Sequence, residues 1–262
     1  MTDMIATRGR AFSCSLLVLL ALIAAGCGGG KKPAEVKAPQ LNPSQKVRQA
    51  QSLMNAGKFN EALAALQEAI DAEPDNALMR NFQGQMLFIA GRYDDAEPAL
   101  RKALELDPHL TDVHNNLGAL YDAQGLKTEA EAQYRLALAD PAYRTPEKTY
   151  LNLGVLYSSQ LRDREAIEVL RKAVEIDPEY YQAHFELASV LERLGELDEA
   201  VREYEVAGPA YHRDGRYFYR LGLAYFRMGL KHEARENLTR AVALSPGSPS
   251  AAQADDLLEL ID

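Results

Sequence analysis

A 34-residue interval governs this chain. Alanine pairs seven residues apart recur six times, as Ala62 and Ala69, Ala96 and Ala103, Ala130 and Ala137, Ala166 and Ala173, Ala200 and Ala207, and Ala234 and Ala241. A small residue stands twelve positions before each pair: Ala50, Gly84, Gly118, Gly154, Ala188 and Gly222. Successive registers are offset by 34, 34, 36, 34 and 34 residues. A fixed period in this range marks a solenoid, whose units bury their apolar faces only against their neighbours. It predicts an all-α chain of six helix pairs at 43–76, 77–110, 111–146, 147–180, 181–214 and 215–248, closed by a capping helix over 249–262. Such a body presents surface to partners and rarely encloses a catalytic pocket.

Local signals divide each unit into helices A and B. Helix A carries apolar residues at helical spacing, as in Leu117, Leu120 and Tyr121. It stops near Gly57, Gly91, Gly125, Gly195 or Gly229, where glycine takes a left-handed turn cheaply. Leu161 holds that place in unit four, so its turn is expected to differ. Helix B ends at Pro74, Pro108, Pro178 or Pro246. Pro98 is expected in the first turn of its helix B, where the N–H it lacks has little use. Gly208-Pro209 is expected to end helix B of unit five early. The longer interval comes from two extra residues within Asp140–Glu147, read as loop variation or as a joint between two halves.

The first 26 residues read as a targeting segment. Arg8 and Arg10 precede an apolar run, Ala11 to Ala25. Rising about 1.5 Å per residue, that run reaches only ~22 Å, short of a ~30 Å hydrocarbon core. This favours a signal peptide over a span. Ile23-Ala24-Ala25-Gly26-Cys27 resembles the lipobox of bacterial lipoproteins, which implies a covalent lipid on Cys27 and removal of Cys14. Gly28 to Asn42, rich in glycine, proline and charge, reads as a tether. Fully extended it spans at most ~50 Å. The expected location is the bacterial envelope, lipid-anchored at the outer membrane and facing the periplasm.

Chemistry-bearing constellations are not expected. His109, His114, His184, His212 and His232 stand at no metal-ligand or nucleophile spacing. No phosphate-binding glycine loop or nucleophile elbow occurs. The expectation is therefore a non-enzyme with no catalytic residues, no metal, no small-molecule substrate and no cofactor beyond the lipid. Net charge is −9 and the bases are dispersed, which argues against nucleic acid. The aromatic-basic run Tyr211 to Arg220 fits the entry of helix A in unit six better than an RNA surface.

Asn116-Leu117-Gly118-x-x-Tyr121 with Ala130, Tyr134 and Ala137, and Leu153-Gly154-x-x-Tyr157 with Ala166, Leu170, Ala173 and Pro178, resemble the tetratricopeptide repeat. The resemblance covers 43–248 and implies a right-handed superhelical solenoid. The family's tryptophan is replaced by Lys46, Arg80, His114, Tyr150, His184 and Phe218. The family's peptide groove, carried over position by position, falls on Leu78, Asn81, Phe88, Ile89, Asn115, Ala119, Leu151, Val155, Phe185, Tyr219, Leu223 and Phe226. Asn116 and Asn152 stand one position further along, where the resemblance implies amides that clamp an extended peptide backbone. An amide offers both donor and acceptor, so it reads backbone without demanding a side chain. Lipid, tether and repeats together, with the inserted Tyr143-Arg144-Thr145-Pro146-Glu147, are similar to the pilotin lipoproteins of type IV pili. That implies a protein partner, the outer-membrane secretin, and a membrane held through the lipid. A general periplasmic adaptor for cell-wall hydrolases or an envelope export complex is the second reading.

Overall fold

The computed structural model describes residues 41–261, which form thirteen helices and no strand. They pair as α1 (Pro43–Asn55) with α2 (Phe59–Ala72), α3 (Ala77–Ile89) with α4 (Tyr93–Leu106), and α5 (Asp112–Ala123) with α6 (Lys127–Leu138). Next come α7 (Pro146–Ser159) with α8 (Asp163–Ile176), α9 (Tyr181–Leu194) with α10 (Leu197–Tyr211), and α11 (Gly215–Arg227) with α12 (Lys231–Leu244). The last helix, α13 (Pro249–Ile261), lays Ile261, Leu257 and Leu258 on the core of the final pair. The predicted signal peptide, Cys27 and most of the tether lie outside the described residues.

The small-residue register has a steric cause. A Cβ added at Gly84 would sit 2.5 Å from the Leu100 side chain, at Gly118 2.5 Å from the Tyr134 ring, and at Gly154 2.5 Å from Leu170. The small residue of helix A therefore faces the large residue of helix B, four positions after the first alanine, rather than the alanine itself. Leu66, Leu100, Tyr134, Leu170, Tyr204 and Leu238 are all buried in this way. Both alanines of every pair are fully buried as well. The prolines sit two residues past α2, α4, α8 and α12, so each of these helices ends where the ring would collide with its last turn.

Three local expectations are corrected. Leu161 does not change its turn. It takes φ 60°, close to the 72° of Gly91. Leu161 N–H donates to Ser158 and Arg162 N–H to Tyr157, the same pattern that Gly91 and Arg92 make to Phe88 and Leu87. Packing of the helix pair imposes the turn, and the leucine accepts a strained conformation with its side chain 73% exposed.

Pro98 is the sixth residue of α4, not a first-turn residue. It therefore removes a bond that the Asp94 carbonyl would have accepted. Pro209 does not end α10, which runs on to Tyr211 and at 15 residues is the longest of the described helices. That last turn places Tyr211 in stacked contact with Phe185 (4.8 Å) and Tyr217 (5.9 Å). Tyr217 also donates to the Tyr204 carbonyl at 3.0 Å. This aromatic box offsets the bond lost at the proline. Tyr211, Tyr217 and Phe218, from the aromatic-basic run, are thus interior packing.

Buried apolar residues gather into three clusters among the described residues. One lies at α1–α3 (Ala50 to Met86), a large one extends from Leu87 to Ala200, and a third from Phe185 to Ile261. The large cluster passes without a break across the insertion at 140–147. The core is therefore not divided there.

Candidate binding groove

Helices A of adjacent repeats meet along one face, and the amides are drawn together there. Asn116 Nδ2 donates to Asn81 Oδ1 at 2.8 Å. Asn152 Nδ2 donates to Asn115 Oδ1 at 3.0 Å. The four asparagines form two pairs that bridge α3 to α5 and α5 to α7. The amide chemistry leaves an N–H2 on Asn81 and Asn115, and a carbonyl oxygen on Asn116 and Asn152, beyond these bonds.

The second pair is braced from the insertion. Thr149, fully buried in α7, donates to Asn115 Oδ1 at 3.0 Å. Its single proton is spent there, so the Tyr143 hydroxyl, 3.0 Å away, is the donor to Thr149. Burial pushes the Tyr143 hydroxyl's pKa up, which keeps it a donor. Thr149 was not among the residues read off the sequence, and Tyr143 was named there only as part of the inserted segment, with no role in the groove.

Apolar side chains flank these amides. Leu78 is 66% exposed and Ile89 55% exposed, and Val155 is exposed too. Leu78 forms the rim of an open hollow of about 490 Å3 with Val47, Met79, Phe82, Gln51 and Arg48. Phe88 is half-buried against Tyr93, ring centroids 5.6 Å apart. Tyr219, Leu223 and Phe226 are half-buried in the last full repeat.

Leu151 and Phe185 depart from the expected stripe because both are core residues. Leu151 joins the large apolar cluster, and Phe185 is enclosed by Tyr204, Tyr211 and Tyr217. Position on a helix fixes which face a residue takes, but not whether the next repeat covers it.

The same face changes character after repeat four. Glu192, only 3% exposed, accepts from the Tyr204 hydroxyl at 2.9 Å and lies 3.3 Å from the Arg220 guanidinium. Arg227 donates to the Glu192 carbonyl at 2.9 Å. Arg193 reaches back to Asp163 at 3.1 Å and to Ser158 at 2.8 Å. Burial pushes the Glu186 carboxyl up, against the pull of Arg216, Arg220 and Arg193. Ion pairs thus lace repeats four to six together where an open apolar stripe was expected. The open part lies on repeats one to four.

Among the described residues no group of histidine, cysteine and acidic side chains could hold a metal ion, and no helix is long and apolar enough to cross a membrane. Models of the tetratricopeptide repeat match residues 47–111, 87–144 and 164–224, 147–180, and 215–248. The chain belongs to the tetratricopeptide-repeat family.

Solved structures agree on the fold of this tetratricopeptide-repeat protein. PilW, described as a widely conserved type IV pilus biogenesis factor, superposes with a TM-score of 0.72 at 23% identity, over 80% of this chain and 97% of that one. PilF of Pseudomonas aeruginosa gives 0.74 at 19% identity, over 82% and 96%. YrrB, a repeat protein described as having an unusual peptide-binding site, gives 0.59 at 23% identity, over 73% and 98%. No curated protein sequence matches the chain.

The tetratricopeptide repeat's missing tryptophan leaves a column of helix-A residues that reach across to helix B of their own repeat. Lys46 pairs with Glu68. His114 meets Gln133 at 2.8 Å, and Lys172 lies over the Tyr150 ring at 5.5 Å. His184 meets Glu203 at 2.5 Å, and Arg240 lies over the Phe218 ring at 4.0 Å. Polar and cation–π pairs therefore replace one large indole at five of the six positions. Arg80 is the sixth, and it has no such partner.

Repeats are also clamped to one another by a motif the sequence reading missed. Tyr121 donates to Glu97 at 2.9 Å, and Arg101 bonds both. One repeat later Tyr157, Glu131 and Arg135 repeat the arrangement, with Arg162 added at 2.6 Å from Glu131.

Proposed function

We propose that this protein is a membrane-anchored scaffold that holds an extended segment of the outer-membrane secretin during type IV pilus assembly, as a pilotin lipoprotein does. The observation that carries the reading is the helix-A face of repeats one to four. There, two asparagine pairs, one of them braced from the insertion, stand among Leu78, Ile89 and Val155. The amides suit peptide backbone, and the apolar side chains between them suit alternate residues of an extended strand. Large exposed apolar side chains grouped on one face favour contact with a partner over contact with water. The likeness in fold to PilW and PilF supports the choice of pilus assembly among envelope roles.

A lipid on Cys27 anchors the body. Several acyl chains make such anchoring stable. The groove then works within a tether's length of the bilayer where the secretin inserts.

The test has two parts. Deletion of the gene, followed by blotting of unboiled membranes, is expected to reduce secretin multimers; normal multimers sink the pilotin role. Asn116→Ala with Asn152→Ala is expected to weaken pull-down of the secretin while the protein stays folded by circular dichroism. Undiminished pull-down removes the asparagines from binding.

A further inference from the structure

We infer a second binding site, for the carboxylates of an acidic, partly apolar peptide segment, in the hollow between α2, α3 and α4. It has a volume of about 450 Å3, and its wall includes Leu63, Arg80, Leu87, Arg92, Asp95 and Lys102. Three cations and one acid meet there. Helix-B residues form much of the wall, so this site is separate from the asparagine face.

Arg80 is the reason to assign a ligand. It occupies the column in which every other repeat pairs helix A with helix B. In repeat two, the helix-B residue 22 positions on is Lys102, a like charge. The Arg80 Nε is buried with no hydrogen-bond partner, and a terminal nitrogen reaches only Gln83 at 3.3 Å. A buried donor without an acceptor costs free energy that an incoming oxyanion restores. A carboxylate matches the Nε–Nη edge of a guanidinium bidentately. Reaching that edge requires the Arg80 side chain to turn into the hollow, and no partner on helix B holds it back.

The other two cations are accessible at the rim. Arg92 is engaged by Asp95 at 2.6 Å and Lys102 by Glu105 at 2.9 Å, both as exposed pairs. Exposed pairs of this kind hold their members weakly. Each cation can therefore exchange or share its carboxylate with a ligand.

The equivalent hollow in repeat four shows what the site looks like when it is satisfied. It is lined by Arg135, Tyr150, Glu165, Glu168 and Lys172 among others, with acids and bases in equal number. There Lys172 covers the Tyr150 ring. The repeat-two hollow instead sets three cations and one acid beside a guanidinium whose buried Nε has no partner.

The lining selects a peptide over a membrane surface. Leu63, Leu87, Pro98 and Ala99 in the wall suit apolar side chains beside the carboxylates.

The test measures fluorescence anisotropy of the full-length protein with a labelled octapeptide of alternating glutamate and leucine. Its glutamine counterpart is the neutral control. The expected result is binding of the acidic peptide, weakened about tenfold by Arg80→Gln or Lys102→Gln. Lys172→Gln, in the repeat-four hollow, is expected to leave it unchanged. Circular dichroism melts confirm that each variant is folded. Equal binding of the neutral peptide, or no effect of either substitution, overturns the site. So does binding to phosphatidylglycerol vesicles that depends on Arg80 while the acidic peptide fails to bind.

Discussion

Replacing Thr149 with valine tests whether the insertion braces the groove. The two side chains have nearly the same shape, so the change removes a hydroxyl and little else. Two hydrogen bonds go with it, one to Asn115 and one from Tyr143, both 3.0 Å. Each is worth about 0.5–1.5 kcal/mol net, and the site is fully buried, so water cannot replace them in full. The expected loss is about 2 kcal/mol. For a body of this size that lowers Tm by roughly 4–8 °C.

Thr149→Ser keeps the hydroxyl and is expected to lose less. The hydroxyls also act in series, because Tyr143 donates to the oxygen that donates to Asn115. Tyr143→Phe should therefore cost less in the Thr149→Val background than alone, which a double-mutant cycle by thermal or urea melts measures. Wild-type stability in Thr149→Val, or strict additivity in the cycle, would refute the bracing.

Two further outcomes follow from the described geometry. Leu161→Gly relieves a left-handed leucine at a cost of some chain entropy, so a rise in Tm of roughly 1–3 °C is expected; a fall in the melt shows the turn is not strained. Arg162 and the Tyr157 hydroxyl hold the Glu131 carboxyl below its ordinary 4.5, so ionised Glu131 stabilises the fold above that pH and this contribution is lost as pH falls through the lowered folded value. Glu131→Gln is expected to lower Tm at pH 7 and to leave it near that of the parent at pH 2–3, as read by paired melts across the acid range.

Much of the fold was legible because its cause is local and repeated. A Gly84 or Gly118 that lets Leu100 or Tyr134 approach within a missing Cβ leaves a period anyone can count. Leu161 misled because a turn's geometry is imposed by the helices on either side, whatever residue occupies it. Pro209 misled because Phe185 and Tyr217, from two other helices, stack on Tyr211 and stabilise the last turn. The candidate site was half legible for the same reason. Helical position put Asn81, Asn115, Asn116 and Asn152 along the expected groove, yet said nothing of their bonds to one another. It could not show that neighbouring side chains enclose Leu151 and Phe185. Nor could it show that Glu192 would be buried under Arg220 and Arg227, because those contacts depend on the register between repeats.

The separate cluster of buried residues at α1–α3 has a mechanical consequence. Repeats contact only their neighbours, so a load applied at Leu41 travels through the body one unit at a time. It meets first the small group from Ala50 to Met86, which includes no residue of the large cluster beyond it. Units in series carry the same tension, and the small group is the smallest of the buried clusters, so that end is expected to open first. A body held at one end against a moving partner would stretch there before it let go.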